Sequence, residues 1–169
     1  EIINITGKLA LSHPDVSITL MCDDRNIFST TGNSDKAACV SSVLGRKKAS
    51  GLMPIHFENK PLYVEGFVSS PNFINAKSPE RVVILNGRYI ISDVISKAVD
   101  SVFSEFYGKT GADYVLYISL PYNMIDVNIH PAKTTVRFLN ESLIMLLIKQ
   151  GIRDFLRDNF IIKEQVTNF

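Results

Sequence analysis

The sequence predicts a mixed α/β fold in which one sheet is covered by helices mainly on one face. Segments with strand periodicity are interleaved with helical segments, without the strict β-α-β rhythm of a fully parallel sheet. The 169 residues are 46% hydrophobic and 21% charged, the composition of a domain that buries a core without disulfides or metals. Because the net charge is only +1, any contact with nucleic acid must come from local clusters of basic residues or from partner domains.

The first 45 residues predict a helix, a hairpin and a second helix. The opening helix ends at His13-Pro14 and carries on one face Ile2, Ile5 and Leu9. Apolar and polar residues alternate over 16–22, as in a half-buried strand, and a returning strand at 27–30 follows the polar turn 23–26. The second helix is capped near Ser34 or Asp35 and ends at Gly45, which can adopt the left-handed conformation.

The middle of the chain predicts three more strands and the clearest helix. Strand segments 53–57 and 62–69 flank a turn, and the loop 70–79 is rich in Pro, Asn and Ser. Residues 82–85 are continuously apolar, as in a central strand that is covered on both faces. A helix capped by Ser92 or Asp93 and closed by Gly108 then carries an apolar stripe of Val94, Ile95, Ala98, Val99, Val102, Phe103 and Phe106.

The last third predicts strands and a long final helix. Residues 114–120 form a strand, and polar and apolar residues alternate in 126–130 and again in 134–138. A helix begins near Asn140, and the residues expected to pack against the core are Leu143, Leu147, Ile148, Ile152, Phe155 and Leu156. Its segment 143–148 is apolar nearly all round, whereas a helix that packs on a core needs only one apolar stripe. The surplus apolar surface either covers a neighbouring domain or is buried within this one.

Several classes of protein do not fit these residues. The longest apolar run, 143–148, is too short to span a membrane, and no signal peptide is visible. The three histidines show no spacing of a metal or catalytic site, and a glycine-rich phosphate loop is absent, which argues against a free-standing enzyme. Cys22 and Cys39 have apolar neighbours and are expected as buried, reduced thiols of a cytosolic protein, with a single disulfide as the alternative.

One segment, 126–138, combines residues suited to binding a phosphate. Pro131 holds His130 extended and interrupts strand pairing, so Lys133 is expected at the tip of a tight bend between two strands. A rigidly mounted ammonium suits phosphate, because a point charge needs little geometric fit. From the residues alone, the favoured interpretation is that Lys133 is a solvated turn lysine and His130 a hydrogen-bonded turn former.

The same segment, Asp-Val-Asn-Ile-His-Pro-Ala-Lys-Thr-Thr-Val-Arg-Phe, resembles the Asn-x-His-Pro-x-Lys-x-x-Val-x-Phe signature of the MutL family of DNA mismatch-repair proteins. Upstream, Val83-Ile84-Leu85-Asn86-Gly87-Arg88 resembles the family's strand that ends in Val-Asn-Gly-Arg. The segments 9–16 and 44–46 also fit the family pattern, so the resemblance extends from about residue 1 to about residue 158.

The resemblance implies a transducer domain at 1–159, with 1–12 as the end of a linking helix and 160–169 as a C-terminal extension or the start of a linker. Its fold would be of the ribosomal-protein and gyrase B second-domain type, with a left-handed βαβ crossover. A preceding domain would bind ATP and Mg²⁺ and supply catalysis, so this chain would hold no catalytic residue itself. Lys133 would contact the ATP γ-phosphate, and the residues expected to support the motif are Asn86, Gly87, Arg88, Asn128, His130 and Pro131.

The family also implies partners: the ATPase domain of the same chain, a second MutL copy, a MutS-type mismatch sensor and DNA without sequence preference, in the bacterial cytoplasm. Candidate DNA contacts are Arg46, Lys47, Lys48, Lys77, Arg81 and Arg88. Family members often carry basic residues at the start of the long helix, where this chain has Ser92-Asp93, so DNA contact by that helix is doubtful. The alternatives are a ribosomal-type nucleic-acid-binding module without nucleotide coupling, and an interaction domain of another superfamily member such as gyrase B.

Overall fold

The computed structural model describes residues 1–74, 77–126 and 134–161, with the side chain of residue 161 excepted. The helices are α1 (Ile2–Ser12), α2 (Lys36–Leu44), α3 (Arg46–Ala49), α4 (Asp93–Tyr107) and α5 (Glu141–Leu156). The strands are β1 (Thr19–Cys22), β2 (Arg25–Ser29), β3 (Leu52–Asn59), β4 (Leu62–Ser69), β5 (Arg81–Leu85), β6 (Arg88–Ile90), β7 (Tyr114–Ser119), β8 (Ile125–Asp126) and β9 (Arg137–Phe138). No helix among the described residues is long and apolar enough to cross a bilayer.

A five-stranded mixed sheet in the order β3-β4-β7-β5-β6 forms the centre of the fold. Strands β3, β4 and β7 pair antiparallel, whereas β5 and β7 pair in parallel across the α4 crossover. Residues 82–85 of β5 are all buried between β7 and β6, which confirms the prediction of a central strand covered on both faces. The β5–α4–β7 unit is a βαβ crossover between two parallel strands.

Helices cover the two faces of this sheet unequally. The larger core cluster joins α4 and α5 to residues such as Val83, Leu116 and Ile118. A smaller cluster on the opposite face joins residues of α1 and α2 to Val82, Ile84, Val115 and Tyr117. The predicted arrangement, one mixed sheet with helices mainly on one face, therefore describes the larger core, and α1 and α2 cover part of the other face.

The two long helices run side by side in the same direction. Near their ends, Arg153 of α5 donates to the Glu105 carboxylate of α4 at 2.7 and 3.1 Å. Near their beginnings, both helices line one groove, with Asp93 from α4 and Glu141 from α5. Both helix N-termini therefore lie at the same end of the domain.

Helix ends follow the capping residues that the sequence predicts. Asp35 caps α2 by accepting a hydrogen bond from the Ala38 amide, and Ser92 caps α4 by accepting one from the Ile95 amide. Asn140 caps α5 in the same way, and Gly108 closes α4 in the left-handed conformation. Gly45 closes α2 at a positive φ of 82°, but its ψ of 151° is extended, and a further short helix, α3, begins directly after it.

The apolar stripe of α1 does not face the core. Ile2, Ile5 and Leu9 are 73%, 61% and 51% exposed, whereas the buried residues are Gly7, Ala10 and Leu11. The helix is apolar on two sides, and the side with small residues packs inward because it allows close approach. A Cβ added at Gly7 would lie 3.1 Å from Val43 of α2.

One other expectation is partly wrong, one strand was not predicted, and one question that the sequence left open concerns α5. Both cysteines are free thiols, as predicted, but only Cys39 is buried, because Cys22 lies on the β1–β2 hairpin, whose residues are mostly exposed. The strand β6 was not predicted, since three residues are too short to show periodicity. In α5, Ile144 and Ile148 are buried whereas Leu146 is 58% exposed, so the apolar surplus of 143–148 is exposed at Leu146.

Candidate functional site

The candidate phosphate-binding segment is residues 127–133, and the predicted site residues Asn128, His130, Pro131 and Lys133 lie outside the described residues. The structure defines the site through the chain that leads into this segment and the chain that leaves it. We call 120–126 the entry limb and 134–139 the exit limb.

The two limbs are joined at their base. Strand β8 pairs antiparallel with β9, with Ile125 opposite Phe138 and Asp126 opposite Arg137. The Leu139 amide also donates to the Met124 carbonyl oxygen at 3.0 Å. Because Ile125 and Phe138 are both buried, this pairing anchors the base of the lysine-bearing segment in the core.

The exit limb is also held against the beginning of α4. The Ile91 amide donates to the Thr134 carbonyl oxygen at 2.8 Å, and Ile91 forms a parallel bridge with Thr135. Ile91 directly precedes Ser92, the cap of α4. The chain that follows Lys133 therefore leaves along the end of β6 and the first turn of α4.

The groove beside the exit limb has no excess of positive charge. Among the described side chains that line it, Asp93 and Glu141 are acidic and Lys97 is basic. The two helix N-termini in the groove already carry their own caps and acidic first-turn residues, which offset the helix dipoles. This groove is therefore poorly suited to hold a phosphate.

Asn86 holds the entry limb. Its side-chain amide nitrogen, Nδ2, donates to the Leu120 carbonyl oxygen at 2.8 Å, and its Oδ1 accepts from the Leu120 amide at 3.0 Å. Its own backbone amide donates to the Ile118 carbonyl oxygen at 2.8 Å. The motif prediction singled out Asn86, but nothing in the sequence indicates its partner, which lies 34 positions away.

Gly87 and Arg88 complete the turn between β5 and β6. Asn86 has a φ of 49° and Gly87 a φ of 81°, a pair of positive values that is typical of an Asn-Gly hairpin turn. Arg88 is exposed on this turn, opposite Leu85. The structure therefore places Arg88 at the carboxyl end of β5, close to the residue that holds the entry limb.

Four of the other predicted DNA contacts lie in or around α3 and the start of β5. Arg46 and Lys47 are exposed on α3, whereas Lys48 lies 3.5 Å from a Glu80 carboxylate oxygen and 4.0 Å from one of Asp113. Arg81, the first residue of β5, is paired with Asp100. Lys77 is exposed and has an interaction of its own.

These basic residues do not form one cluster. Arg81 and Arg88 lie at opposite ends of β5, about 13 Å apart along the strand at ~3.3 Å per residue. Arg137 was not among the predicted contacts, yet it is exposed on β9 at the base of the lysine-bearing segment. Its place within the motif 126–138 was the signal that could have added Arg137 to the predicted DNA contacts.

Comparison with solved structures defines the class of fold. The crystal structure of the N-terminal domain of a DNA repair protein superposes with a TM-score of 0.78 at 20% identity, over 93% of this chain and 53% of that one. The ATPase domain of the mismatch repair endonuclease MutL from Aquifex aeolicus gives 0.59 at 19%, over 89% and 49%. The B-subunit of DNA gyrase from Myxococcus xanthus gives 0.51 at 12%, over 89% and 48%. The fold is thus the α/β fold found in MutL and gyrase B, as predicted.

Sequence comparison then gives the family. The model of the DNA mismatch repair protein, C-terminal domain, matches residues 40–157. DNA mismatch repair protein MutL of Desulforudis audaxviator is 32% identical over 153 residues, 90% of this chain and 27% of that protein. MutL of Pediococcus pentosaceus is 31% identical over 169 residues, 99% of this chain and 26% of that protein. The chain belongs to the MutL family of DNA mismatch repair proteins, and it spans about a quarter of the length of these relatives.

Proposed function

We propose that this chain is the transducer domain of a MutL-type ATPase, and that Lys133 contacts the γ-phosphate of ATP bound by a preceding domain. The contact couples the nucleotide state to closure of a MutL dimer and to interaction with DNA and partner proteins. The observation that carries the proposal is the motif Asn128-Ile129-His130-Pro131-Ala132-Lys133 between two paired limbs, in a chain of this family. In this assignment the transducer domain is 1–159, and 160–169 is an extension or the start of a linker.

Electrostatics gives the coupling a physical basis. ATP and ADP differ by one phosphoryl group and its negative charge. An ammonium at about 4 Å from that charge gains roughly 4 kcal/mol at an effective dielectric of 20, before desolvation is subtracted. A net difference of about 1–3 kcal/mol would change the equilibrium constant between two orientations of the domains by about 5- to 150-fold.

The surroundings of the limbs support Lys133 as the sensing group. The groove at the start of α4 and α5 has two carboxylates and one ammonium among its described lining residues, so it would repel rather than attract a free phosphate. In the proposal, Lys133 instead meets a phosphate that is held by another domain. In the proposal, ATP and Mg²⁺ are bound there, and this chain supplies no catalytic residue.

The proposed partners follow from the family. They are the ATPase domain of the same chain, a second copy of the whole protein, a MutS-type mismatch sensor and DNA, in a bacterial cytoplasm. Of the predicted DNA contacts, Arg46, Lys47, Lys77 and Arg88 are exposed and remain the candidates for contact with phosphates of DNA, because Lys48 and Arg81 already neutralise carboxylates. Such contacts read the backbone and give little sequence preference.

The test is Lys133→Ala in the complete parent protein. ATP turnover and ATP-dependent dimerisation should fall by about 5- to 150-fold, the range set by a coupling of about 1–3 kcal/mol. Lys60→Ala is the matched control, because Lys60 is a highly exposed lysine in the turn between β3 and β4. Normal turnover and dimerisation in the Lys133→Ala protein would refute the proposed role.

A further inference from the structure

The strand β3 is an edge of the central sheet, and within the described part of the chain it pairs with β4 alone. In an antiparallel pair, alternate residues direct their backbone groups towards the neighbouring strand and away from it. Gly51, which directly precedes β3, accepts a hydrogen bond from the Ser70 amide at 2.9 Å on the β4 side. The odd-numbered residues of β3 therefore bond to β4, and the even-numbered residues present their amides and carbonyls at the edge.

Pro54 fits this alternation. Proline has no amide hydrogen, so it is tolerated in a strand at a position that faces the edge. The other even-numbered residues, such as the exposed His56 and Glu58, retain an amide that can donate outwards. An edge with free donors and acceptors binds an extended segment as an added strand, while Pro54 and Glu58 disfavour unselective pairing.

Helix α5 lies beside this edge and runs in the opposite direction to β3. Asn59 Nδ2 donates to the Leu147 carbonyl oxygen at 2.9 Å, and Gly151, one turn further along α5, lies against the ring of Phe57. Four helical residues advance about 6 Å and two strand residues about 6.6 Å, so helix and strand stay in step. A Cβ at position 151 would overlap the Phe57 ring, and glycine therefore permits this close approach.

The strand edge and the end of α5 enclose a groove of about 540 Å³. The rings of Phe57 and Phe155 supply apolar surface, and Asp154 and Asp158 supply two carboxylates, whereas none of the described lining residues is a lysine or an arginine. Asp154 has a partner in Arg157 at 3.2 Å, but Asp158 forms no ion pair with another described residue. The groove therefore combines free backbone groups, apolar surface and an excess of negative charge.

We propose that this groove binds an extended, basic peptide segment of a partner protein, which adds to β3 as a further strand. Every second residue of the added strand points to the same face. On the face towards α5, an apolar side chain packs on Phe57 and Phe155, and a basic side chain further along meets Asp158. The inference is independent of the proposed phosphate contact of Lys133.

The charge of the groove selects the occupant. A second copy of this chain, paired through its own β3, would bring Glu58, Asp154 and Asp158 against the same three carboxylates. Like charges at short distance repel, and this repulsion opposes pairing of two identical edges. A basic strand gains attraction from the same groups, so it is the occupant that this surface favours.

The experiment measures peptide binding to the complete parent protein by fluorescence anisotropy. The probe is a labelled peptide with blocked ends, Val-Thr-Arg-Thr-Val-Thr-Arg, in which valine and arginine share one face. The comparison peptide has glutamate in place of both arginines. Wild-type protein should bind the arginine peptide at least about fivefold more tightly than the glutamate peptide.

Asp158→Lys tests the charge. It should weaken binding of the arginine peptide and strengthen binding of the glutamate peptide, each by about two- to fivefold, the range of an exposed charge pair. A variant that merely failed to fold would lose affinity for both peptides. The opposite changes therefore separate charge recognition from structural damage.

His56→Pro tests the strand edge, because it removes an outward amide and none of the bonds to β4. It should weaken the arginine peptide by at least about fivefold. His56→Ala is the matched control: both variants lose the ring contact with Tyr63, whose centroid is 5.2 Å away, but alanine keeps the amide. Thermal unfolding shows whether each variant is folded, and if His56→Pro is not, Glu58→Pro is compared with Glu58→Ala by the same criterion.

Three results would overturn the proposal: no binding of the arginine peptide at up to about 1 mM, equal affinity of wild type for both peptides, or equal affinity of the proline and alanine variants. Sedimentation of the parent protein tests the other occupant. Self-association that the proline variant loses and the alanine variant keeps, without peptide binding, would assign the edge to a second copy and refute the basic partner. If neither proline variant folds, the opposite changes expected for Asp158→Lys decide the question.

Discussion

The guanidinium Nη2 of Arg81 lies 2.9 Å from both carboxylate oxygens of Asp100, across the interface between β5 and α4. Asp100 also accepts a hydrogen bond from the Gly111 amide at 3.1 Å, in the loop that returns to β7. Both side chains of the pair are only about a quarter exposed. Arg81 thus ties α4 to the first residue of β5, and its charge is already balanced within the domain.

The first prediction concerns this pair. Arg81→Ala should reduce the free energy of unfolding by about 1–3 kcal/mol, because it leaves a partly buried carboxylate without its charged donor. Chemical denaturation of the wild-type and variant proteins measures the loss. Asp100→Asn should lose less, since the amide oxygen still accepts from Gly111, and an Arg81→Ala protein as stable as wild type would show that the pair contributes nothing.

The second prediction concerns DNA. Arg88→Ala, and the pair Arg46→Ala with Lys47→Ala, should each weaken binding to duplex DNA and reduce the slope of log affinity against log salt by about 0.9 per lost phosphate contact. Lys60→Ala, in the turn between β3 and β4, is the control and should leave the slope unchanged. Equal slopes in all of these proteins would exclude Arg88, Arg46 and Lys47 as phosphate contacts.

The third prediction concerns a glycine at a close backbone approach. A Cβ added at Gly66, whose φ is 149°, would lie 2.1 Å from the Val115 carbonyl oxygen of the neighbouring strand β7. Gly66→Ala should therefore cost about 3 kcal/mol or more, through backbone displacement combined with strain at this φ. Gly45→Ala is the matched control, because Gly45 has a positive φ but nothing within 4 Å of an added Cβ, and it should cost only about 1–2 kcal/mol. Similar thermal unfolding of the two variants would contradict the clash.

The fourth prediction concerns alkaline pH. Burial raises the pKa of Tyr117, whose hydroxyl donates to the Leu11 carbonyl oxygen at 3.0 Å and ties α1 to the sheet. A tyrosine in the unfolded chain ionises near pH 10. The folded state therefore retains the proton where the unfolded state loses it, and this contribution to stability is present below about pH 10 and is lost as the pH rises above that value.

Tyr117→Phe isolates this contribution. The variant should be less stable than wild type at neutral pH, because the Leu11 carbonyl oxygen loses its donor. The difference between the two proteins should then shrink as the pH rises above about 10. Urea unfolding at pH 8, 9, 10 and 11 measures it, and a constant difference across this series would show that Tyr117 does not retain its proton.

Much of the architecture could be predicted because it depends on local chemistry. Capping residues such as Asp35, Ser92 and Asn140 satisfy backbone amides of their own helix, so their positions mark helix starts without knowledge of the fold. The continuous apolar run 82–85 likewise marks a strand that is covered on both faces. The motif 126–138 was recognisable as a string, although its central residues lie outside the described part of the chain.

The orientation of α1 and the partner of Asn86 could not be predicted, because each depends on residues distant in sequence. Two faces of α1 are apolar, and only the shape of α2 selects the side with small residues, Gly7 and Ala10. The burial predicted for Cys22 was wrong for a related reason: the β1–β2 hairpin forms a separate two-stranded sheet with mostly exposed residues, so apolar neighbours in sequence do not bury the thiol.

The sequence by itself determined the order of the longer strands and helices, the helix caps, the fold class and the family, because each of these depends on neighbouring residues or on a contiguous motif. Tertiary structure alone decided which basic residues form ion pairs with carboxylates, as Arg81 does with Asp100, and which remain exposed. It also decided that a carboxamide at position 86 meets the backbone of Leu120. Pairing across a sheet is a matter of three-dimensional register, and a one-dimensional pattern carries no signal for two groups that only folding brings together.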